Sequence, residues 1–178
     1  MVLAMNFPRS CGVLLHPTSL PGPDGIGDFG LEAHRFADFL HAAGQKLWQV
    51  LPLNPTGYAD SPFQCFSASA GNALLISLER LAEQGLLRKN NLRSVPAFPL
   101  ESVDYGAVLG WKMPLLRKAA TNFFANASAK DRRRFEEFCG ANAIWIDDFA
   151  LFMAVKEAHD LVAWPTGPET LPHVSPKR

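Results

Sequence analysis

Residues 47–53 read Leu-Trp-Gln-Val-Leu-Pro-Leu, a short apolar run containing Pro52, which cannot donate a ladder hydrogen bond. A second short run, Gly-Val-Leu-Leu-His, occupies residues 12–16 and is bounded by turn-forming residues. Continuous apolar runs of this length are typical of buried parallel strands. The two runs therefore predict two parallel strands, with pairing in the second ending before Pro52.

The segment between these runs has the spacing of an amphipathic helix. Phe36, Phe39 and Leu40 recur at three- and four-residue intervals, so they share one helix face. Asp28 is placed to cap the start of this helix, and Gly44 is placed to end it in the left-handed conformation. Strand, helix and strand over about 40 residues form a βαβ unit, whose crossover should be right-handed.

From residue 73 onward the pattern is almost entirely helical. It predicts a helix over residues 77–84, a long helical segment over 104–126, a short helix starting near 128 and an apolar helix over 142–159. Pro114 should kink or divide the long segment, because it lacks an amide donor. The last helix is apolar around most of its circumference, which predicts burial between neighbours.

Two strands followed only by helices do not make a stable sheet, because each strand keeps an unpaired edge. The sequence therefore predicts an α/β fold that is the opening of a larger domain. Its segments are a βαβ portion with a substrate loop (residues 1–72), a helical insertion (73–160) and a divergent tail (161–178).

Charge and composition exclude several classes of function. The chain has 17 basic and 17 acidic residues, so no net field draws it to nucleic acid or to an anionic membrane surface. Its longest apolar run, residues 149–155, is far shorter than the ~20 residues that span a bilayer. Cys11, Cys65 and Cys139 form neither a disulfide framework nor a zinc site, and fit a reducing cytoplasm. We expect no metal and no cofactor.

Loops that leave the C-terminal ends of parallel strands open on one face and build ligand sites. Two loops qualify here, residues 16–28 and residues 54–72. The second holds an aromatic ring, a carboxylate, a hydroxyl and an amide, a mixture that suits sugars. These side chains are Tyr58, Asp60, Ser61 and Gln64. The alternative is turn chemistry, since Gly, Asp, Ser and Pro all favour tight turns.

Other polar features carry weaker signals. His16 lies at a strand end and could reach a ligand, although a packed and hydrogen-bonded histidine is an equal alternative. The glycines of residues 21–28 lack the spacing of a phosphate-binding loop. Asp147 and Asp148 are adjacent on a predicted helix and point about 100° apart, so they do not form a catalytic pair.

Several motifs in one order resemble a known family. The motifs Ser-Leu-Pro and Ile-Gly-Asp come first. They are followed by residues 47–53, Pro-Thr-Gly-Tyr, Asp-Ser-Pro-Phe-Gln and Phe-Ser-Ala-Ser-Ala-Gly-Asn. Together and in this order, these motifs resemble the N-terminal part of amylomaltase, the bacterial 4-α-glucanotransferase or disproportionating enzyme. The resemblance implies the opening strands of an α-amylase-like (β/α)₈ TIM barrel, incomplete in this chain. It also implies transfer of α-1,4-glucan segments between maltooligosaccharides by retaining double displacement, in cytoplasmic starch and glycogen metabolism.

The same resemblance assigns residues. Tyr58, Asp60 and Ser61 match the sugar-contacting loop, with Gln64 and His16 as weaker candidates. Tyr58 is expected to stack against or hydrogen-bond a glucose, Ser61 to contact a hydroxyl and Asp60 to orient the loop.

The catalytic carboxylates of the family follow later strands, and nothing in residues 1–178 matches them, so no catalytic residue is assigned. We therefore expect a fragment that is inactive alone, with the missing C-terminal part of the barrel as a partner. The alternatives are a non-catalytic α-glucan-binding module and a partner-docking module. The chain departs from the family pattern at Ala59, where Gly is common, and at Phe63, where Tyr is frequent.

Overall fold

The computed structural model describes residues 8–159 and 161, and of Tyr58 it describes the backbone alone. Its described regular elements are β1 (Gly12–Leu14), α1 (Leu31–Ala42), β2 (Leu47–Gln49), α2 (Leu78–Glu83), α3 (Tyr105–Asn126), α4 (Ala129–Ala141) and α5 (Ile146–Ala158), with short 3₁₀ turns at Pro17–Ser19, Tyr58–Asp60, Ala73–Leu75 and Lys89–Leu92.

The two predicted strands pair in parallel, which confirms the βαβ unit. Gly12 lies opposite Leu47, and Leu14 lies opposite Gln49. Both strands are shorter than the apolar runs that predicted them. β1 gives way to a 3₁₀ turn that His16 caps and Pro17 begins, and β2 ends before Pro52, which cannot donate to a ladder.

Helix α1 packs against this sheet through Phe36, whose ring meets Trp48 edge-to-face at 5.0 Å between centroids. The predicted cap at Asp28 is wrong, because the helix begins at Leu31 and the Asp28 carboxylate accepts the N–H of Gly30. The predicted stop is confirmed: Gly44 has φ +72°, a left-handed value that glycine adopts without steric cost.

The core joins the first loop to the helices that follow the sheet. Ile26, Leu74 and Val108 form one buried cluster, and Leu78, Leu87 and Ala119 form a second. Ile26 and Val108 lie on opposite sides of the predicted boundary at residue 72, so the core is continuous across it. The chain forms two compact units, Met1–Arg132 and Arg133–Arg178. The functional segmentation 1–72, 73–160 and 161–178 stays a prediction.

Helices α2 and α3 begin where the sequence predicts. Ser77 caps α2 by accepting the N–H of Arg80, and Asp104 caps α3 by accepting that of Ala107. Of the two predicted effects of Pro114, the division of the long segment is wrong, because α3 runs unbroken through it, and the kink stays a prediction. Core contacts on both sides of the proline hold the helix together, and Pro114 itself is exposed.

The second compact unit contains most of α4 and all of α5. The predicted start near Ser128 is confirmed, since α4 begins at Ala129 and the Ser128 hydroxyl accepts the N–H of Asp131 in the first turn of the helix. Helix α5 begins at Ile146, four residues later than predicted, and its expected burial is wrong: Leu151 on α5 is half exposed. No single helix in the described ranges is long and apolar enough to cross a bilayer; α4 and α5 pass that test only as a bent pair, by length and composition.

Candidate functional site

The second loop, residues 54–72, starts five residues after β2 and is closed by its own backbone. At its base the N–H of Asn72 donates to the carbonyl of Leu53 at 2.8 Å. Farther along, Thr56 and Cys65 form an antiparallel bridge, and the N–H of Gly57 donates to the carbonyl of Gln64 at 2.7 Å. These bonds make the loop a small hairpin that projects from the end of the sheet.

Asn54 holds the returning half of this loop. Its side-chain amide donates to the carbonyls of Ala68 and Ala70, each at 3.0 Å. One carboxamide therefore fixes a segment 14 and 16 residues away in sequence. The sequence analysis did not assign this role. The signal for it is that Asn54 directly follows the apolar run 47–53, where a side-chain amide can satisfy backbone groups that a loop leaves unpaired.

The tip of the second loop is the 3₁₀ turn Tyr58–Asp60. Ala59 and Asp60 both adopt left-handed backbone conformations, with φ +55° and +54°. Two consecutive non-glycine residues in this region indicate local strain, which is commonly found at ligand-binding sites. Asp60 is exposed at the tip. The side chain of Tyr58 lies outside the described part of the structure.

Ser61 and Gln64 occupy the returning side of the tip. The Ser61 hydroxyl accepts the N–H of Phe63 at 3.3 Å. This bond is the kind expected if the polar residues of the second loop only stabilise a turn, which is the alternative to sugar binding. A hydroxyl that accepts one bond still has its own hydrogen to donate. The backbone N–H of Gln64 donates to the carbonyl of Ser61, and its carbonyl accepts the N–H of Gly57. Gln64 as a whole is exposed.

His16 lies at the base of both loops. Its Nδ1 lies 2.7 Å from the Thr18 hydroxyl and accepts the Thr18 N–H, and its Nε2 lies 3.3 Å from the carbonyl oxygen of Pro52. A carbonyl only accepts, so the proton is assigned to Nε2. Both ring nitrogens of His16 therefore have hydrogen-bond partners within the protein. This agrees with the alternative interpretation of His16 as a packed, hydrogen-bonded histidine. His16 therefore links the start of the first loop to the residues just before the second.

In the structure the first loop spans residues 17–30, between the His16 cap and helix α1. It is tied into the protein by Asp24 and by Asp28, which the sequence analysis considered only as a helix cap. Trp111 Nε1 donates to Asp24 Oδ1 at 3.2 Å, and the ammonium of Lys112 lies 3.0 Å from Asp28 Oδ2. Lys112 is fully buried. Burial raises the pKa of Asp24 above its usual value; the Trp111 hydrogen bond and the nearby Lys112 oppose that rise, and the Asp28 charge adds to it.

A signal for this ion pair is present in the sequence. Lys112 stands four residues after Val108 and seven before Ala119, at the helical spacing of the buried face of α3. A buried lysine ammonium is costly unless it is paired with an acidic group. Here that partner is Asp28.

The second loop contains one carboxylate. Asp60 is its single carboxylate, whereas a retaining glycosidic reaction needs two carboxyl groups roughly 5–5.5 Å apart. A cleft of about 660 Å³ lies beside the first loop. It is lined by residues 18–23, 25–26, 96 and 98–103, of which Glu101 is the one ionisable residue. In the described ranges, no group of three or more His, Cys, Asp and Glu could hold a metal ion.

Comparison with known proteins shows what the chain resembles. Residues 15–178 match the family described as 4-alpha-glucanotransferase. The chain belongs to this family. It is 51% identical over 164 residues to the 4-alpha-glucanotransferase of Thermus thermophilus and 48% identical over 156 residues to that of Synechocystis sp., covering 92% and 88% of this chain.

A solved 4-alpha-glucanotransferase-like structure agrees with this assignment. It is the amylomaltase from Streptococcus agalactiae in complex with acarbose, which superposes with a TM-score of 0.84 at 40% identity and covers 91% of this chain. The chain spans about a third of the length of these relatives: 32% of the Thermus protein, 31% of the Synechocystis protein and 32% of the solved chain. The family resemblance drawn from the sequence motifs is thereby confirmed.

Proposed function

We propose that this chain contributes two strand-end loops to a 4-alpha-glucanotransferase that transfers α-1,4-glucan segments between maltooligosaccharides. The observation that carries the proposal is the 51% identity to the Thermus thermophilus 4-alpha-glucanotransferase over 92% of this chain. The acarbose complex of the Streptococcus agalactiae amylomaltase is consistent with a carbohydrate ligand. β1 and β2 are then the first two strands of an α-amylase-like (β/α)₈ barrel, followed by a helical insertion.

In the proposed reaction this chain helps to position the substrate, and the rest of the family fold supplies the catalytic acids. In retaining double displacement one carboxylate attacks the anomeric carbon while a second carboxyl protonates the leaving oxygen, and the acceptor sugar then displaces the enzyme. Asp60 has no second carboxylate within the second loop, so neither step is assigned to it. We place both acids in the two-thirds of the family length that this chain does not span.

The second loop is assigned to substrate positioning. The ring of Tyr58 supplies a face for a glucose unit, and the Ser61 hydroxyl donates its hydrogen to a sugar oxygen while accepting from Phe63. Asp60 and Gln64 border the same tip, and Asp60 orients it. His16 supports the loop from below through Pro52, so its effect on sugar is indirect.

The test compares the chain alone with a chimera in which residues 1–160 replace the aligned part of the Thermus protein. Incubated with maltotriose, the chimera should release glucose and longer maltooligosaccharides with α linkages, seen by chromatography and NMR. The chain alone should release none. Tyr58→Ala in the chimera should lower kcat/KM about tenfold. Tyr58→Phe should lower kcat/KM less, because it keeps the aromatic ring that stacks on the sugar. Turnover by residues 1–178 alone, or a folded chimera without transfer, would contradict the proposal.

A second candidate is a non-catalytic α-glucan-binding module. It is favoured by the internal bonds of the second loop, which shape it without help from other elements. Titration of the chain with maltoheptaose tests it by calorimetry. Binding that disappears in Tyr58→Ala supports it, whereas no heat at millimolar sugar excludes it.

We also propose a cytoplasmic location and a role in starch and glycogen metabolism. The location is supported by the thiols Cys11, Cys65 and Cys139, which are all unpaired. Fractionation of the cells that make the protein, with detection by antibody, tests the location.

A further inference from the structure

The ring of His16 makes one hydrogen bond toward each strand-end loop. Nδ1 lies 2.7 Å from the hydroxyl of Thr18 at the start of the first loop, and Nε2 lies 3.3 Å from the carbonyl oxygen of Pro52. With the proton on Nε2, Nδ1 is an acceptor, so the Thr18 hydroxyl donates to it. The form of a neutral imidazole is set by the partner of its other nitrogen. Thr18 therefore stabilises the form of the ring that can donate to Pro52.

Thr18 is held in place by the rest of the first loop. It is buried, and its carbonyl accepts the N–H of Gly27 at 3.0 Å. Gly27 precedes Asp28, whose carboxylate lies 3.0 Å from the fully buried ammonium of Lys112. The backbone of Thr18 is thus already ordered by the packing of the loop. Its hydroxyl can hold the His16 ring with little further loss of conformational entropy.

Pro52 lies next to the base of the second loop. The carbonyl of the following residue, Leu53, accepts the N–H of Asn72 at 2.8 Å, and Asn54 then holds the returning half of the loop. Proline has no N–H, so a polar contact can fix the backbone of Pro52 only through its carbonyl. The His16 ring is the partner of that carbonyl. The second loop takes its shape from its own bonds, whereas its place beside the first loop depends on this contact.

We propose that Thr18 and His16 are positioning residues for the second loop. The Thr18 hydroxyl fixes the His16 ring with its proton on Nε2, and the ring fixes the base of the second loop at Pro52. Neither side chain needs to touch a glucan for this role. The effect on glucan transfer rests on the proposed function, whereas the form of the ring and the order of the second loop are properties of this chain.

Nitrogen NMR of the full chain with isotope-labelled histidine tests the first step without any change at Thr18. Spectra are recorded at about pH 8 so that the neutral ring is observed, and a His16→Gln variant identifies the His16 signals. Nε2 should have the chemical shift of a protonated nitrogen and Nδ1 that of an accepting nitrogen. The opposite assignment, or a mixture of the two forms, would overturn the proposal.

Thr18→Val tests the second step, because it keeps the shape of the side chain and removes the donor. The amide of Asn72 should then exchange with solvent about three- to tenfold faster, the range that one net hydrogen bond supports. Thr18→Ser restores the hydroxyl and should restore the parent rate. The matched control is Thr121→Val, since the hydroxyl of Thr121 donates to the carbonyl of Arg117 at an exposed position of α3. It should leave the exchange of Asn72 unchanged.

The amide of Leu86 is the internal reference for these exchange rates. It donates to the carbonyl of Leu81, and both residues pack against the second core cluster. Faster exchange at Asn72 but not at Leu86, reversed by Thr18→Ser, supports the proposal. Equal acceleration at the two amides would mean that Thr18→Val only destabilises the protein, and it would overturn the proposal. Unchanged exchange at Asn72 would overturn it as well.

The chimera defined above connects the contact to glucan transfer. Thr18→Val should raise KM for maltotriose about three- to tenfold and change kcat less than about twofold, because a displaced loop weakens substrate binding. Thr18→Ser should keep the KM of the unsubstituted chimera, and an unchanged KM in Thr18→Val would overturn the positioning role. If the unsubstituted chimera is folded but transfers no glucan while the NMR and exchange results hold, the proposed function fails and the role of Thr18 and His16 in ordering the second loop is supported.

Discussion

The two loops that follow the strands are similar in composition and opposite in structure. Both are rich in Gly, Pro, Asp and Ser. The first, residues 17–30, lies largely in the core: Leu20, Asp24 and Ile26 are all buried. The second, residues 54–72, is mostly exposed or half-buried and bonds chiefly to itself. Turn-forming composition therefore identifies a loop but does not say whether it supports the fold or meets a ligand.

The difference comes from where each loop finds partners for its polar groups. The first loop uses α3, whose Trp111 and Lys112 bind two carboxylates of the loop. The second uses Asn54 and its own backbone. A loop satisfied by a distant helix is fixed by the tertiary fold, whereas a loop satisfied internally keeps its tip available.

The largest test of this contrast is Asp28→Asn. It removes the charge that pairs with fully buried Lys112, and an unpaired buried ammonium is costly. We expect the free energy of unfolding, measured by urea denaturation at pH 7, to fall by about 3–5 kcal/mol. The matched control in the second loop is Asp60→Asn, which should change it by less than about 0.5 kcal/mol. Equal effects of the two substitutions would contradict the contrast.

The next test compares one glycine from each loop. A Cβ at Gly27 would collide with the backbone oxygen of Pro17 and lie 2.6 Å from that of Leu20, whereas a Cβ at Gly71 would meet nothing within 4 Å. Gly27→Ala should therefore lower the free energy of unfolding by about 1–3 kcal/mol. Gly71→Ala should stay within about 0.5 kcal/mol of the parent. Thermal melts of the two variants side by side measure the difference, and a tolerated Gly27→Ala would show that the first loop can move.

Much of this fold follows from patterns that are local in sequence. The strand at the start of residues 47–53, the helix predicted over 77–84 and the stop at Gly44 depend on neighbours in the chain, and the structure confirms them. The cap at Asp28 and the break at Pro114 failed because distant contacts outweigh local preference. Asp28 is drawn to Lys112, 84 residues away, and α3 is held on both sides of Pro114 by core contacts.

The candidate site stays a prediction, although the structure brings the residues of its loop into one hairpin. The rule that strand-end loops carry sites led to the second loop, and the aromatic and polar residues there were evident in sequence. The sequence analysis gave a packed histidine as one alternative for His16 but not its partner, and it assigned no role to Asn54. Each role depends on a backbone carbonyl that folding brings near: Pro52 for His16, and Ala68 and Ala70 for Asn54. The sequence gives no direct signal for which carbonyl a side chain will meet.

Asp24→Asn tests the first loop through pH. Burial raises the pKa of Asp24 above 3.8, so the folded protein binds its proton more tightly than the unfolded chain does. The stability that this proton contributes is present below about pH 4 and is lost as pH rises through the raised pKa. Asn keeps an acceptor for Trp111 and carries no charge. The variant should therefore gain stability relative to the parent as pH rises from 4 to 7, measured by urea midpoints.

This result would separate two carboxylates of one loop. Asp28→Asn should destabilise at pH 7, because Lys112 loses its partner, while Asp24→Asn should not. If Asp24→Asn loses stability as pH rises, then the attraction of Lys112 outweighs burial at Asp24, and both carboxylates serve the same buried ammonium.

The smallest effect concerns the tip of the second loop. Ala59 has φ +55°, a left-handed conformation that costs an L-residue roughly 1–2 kcal/mol, while glycine adds about 0.5–1 kcal/mol of unfolded-state entropy. Ala59→Gly should therefore raise the free energy of unfolding by about 0.5 kcal/mol, measured by urea denaturation. Ala68→Gly, at an exposed position of the same loop without positive φ, should lower it instead. The same sign at both positions would mean that the tip is free to relax, and that its left-handed backbone carries no strain.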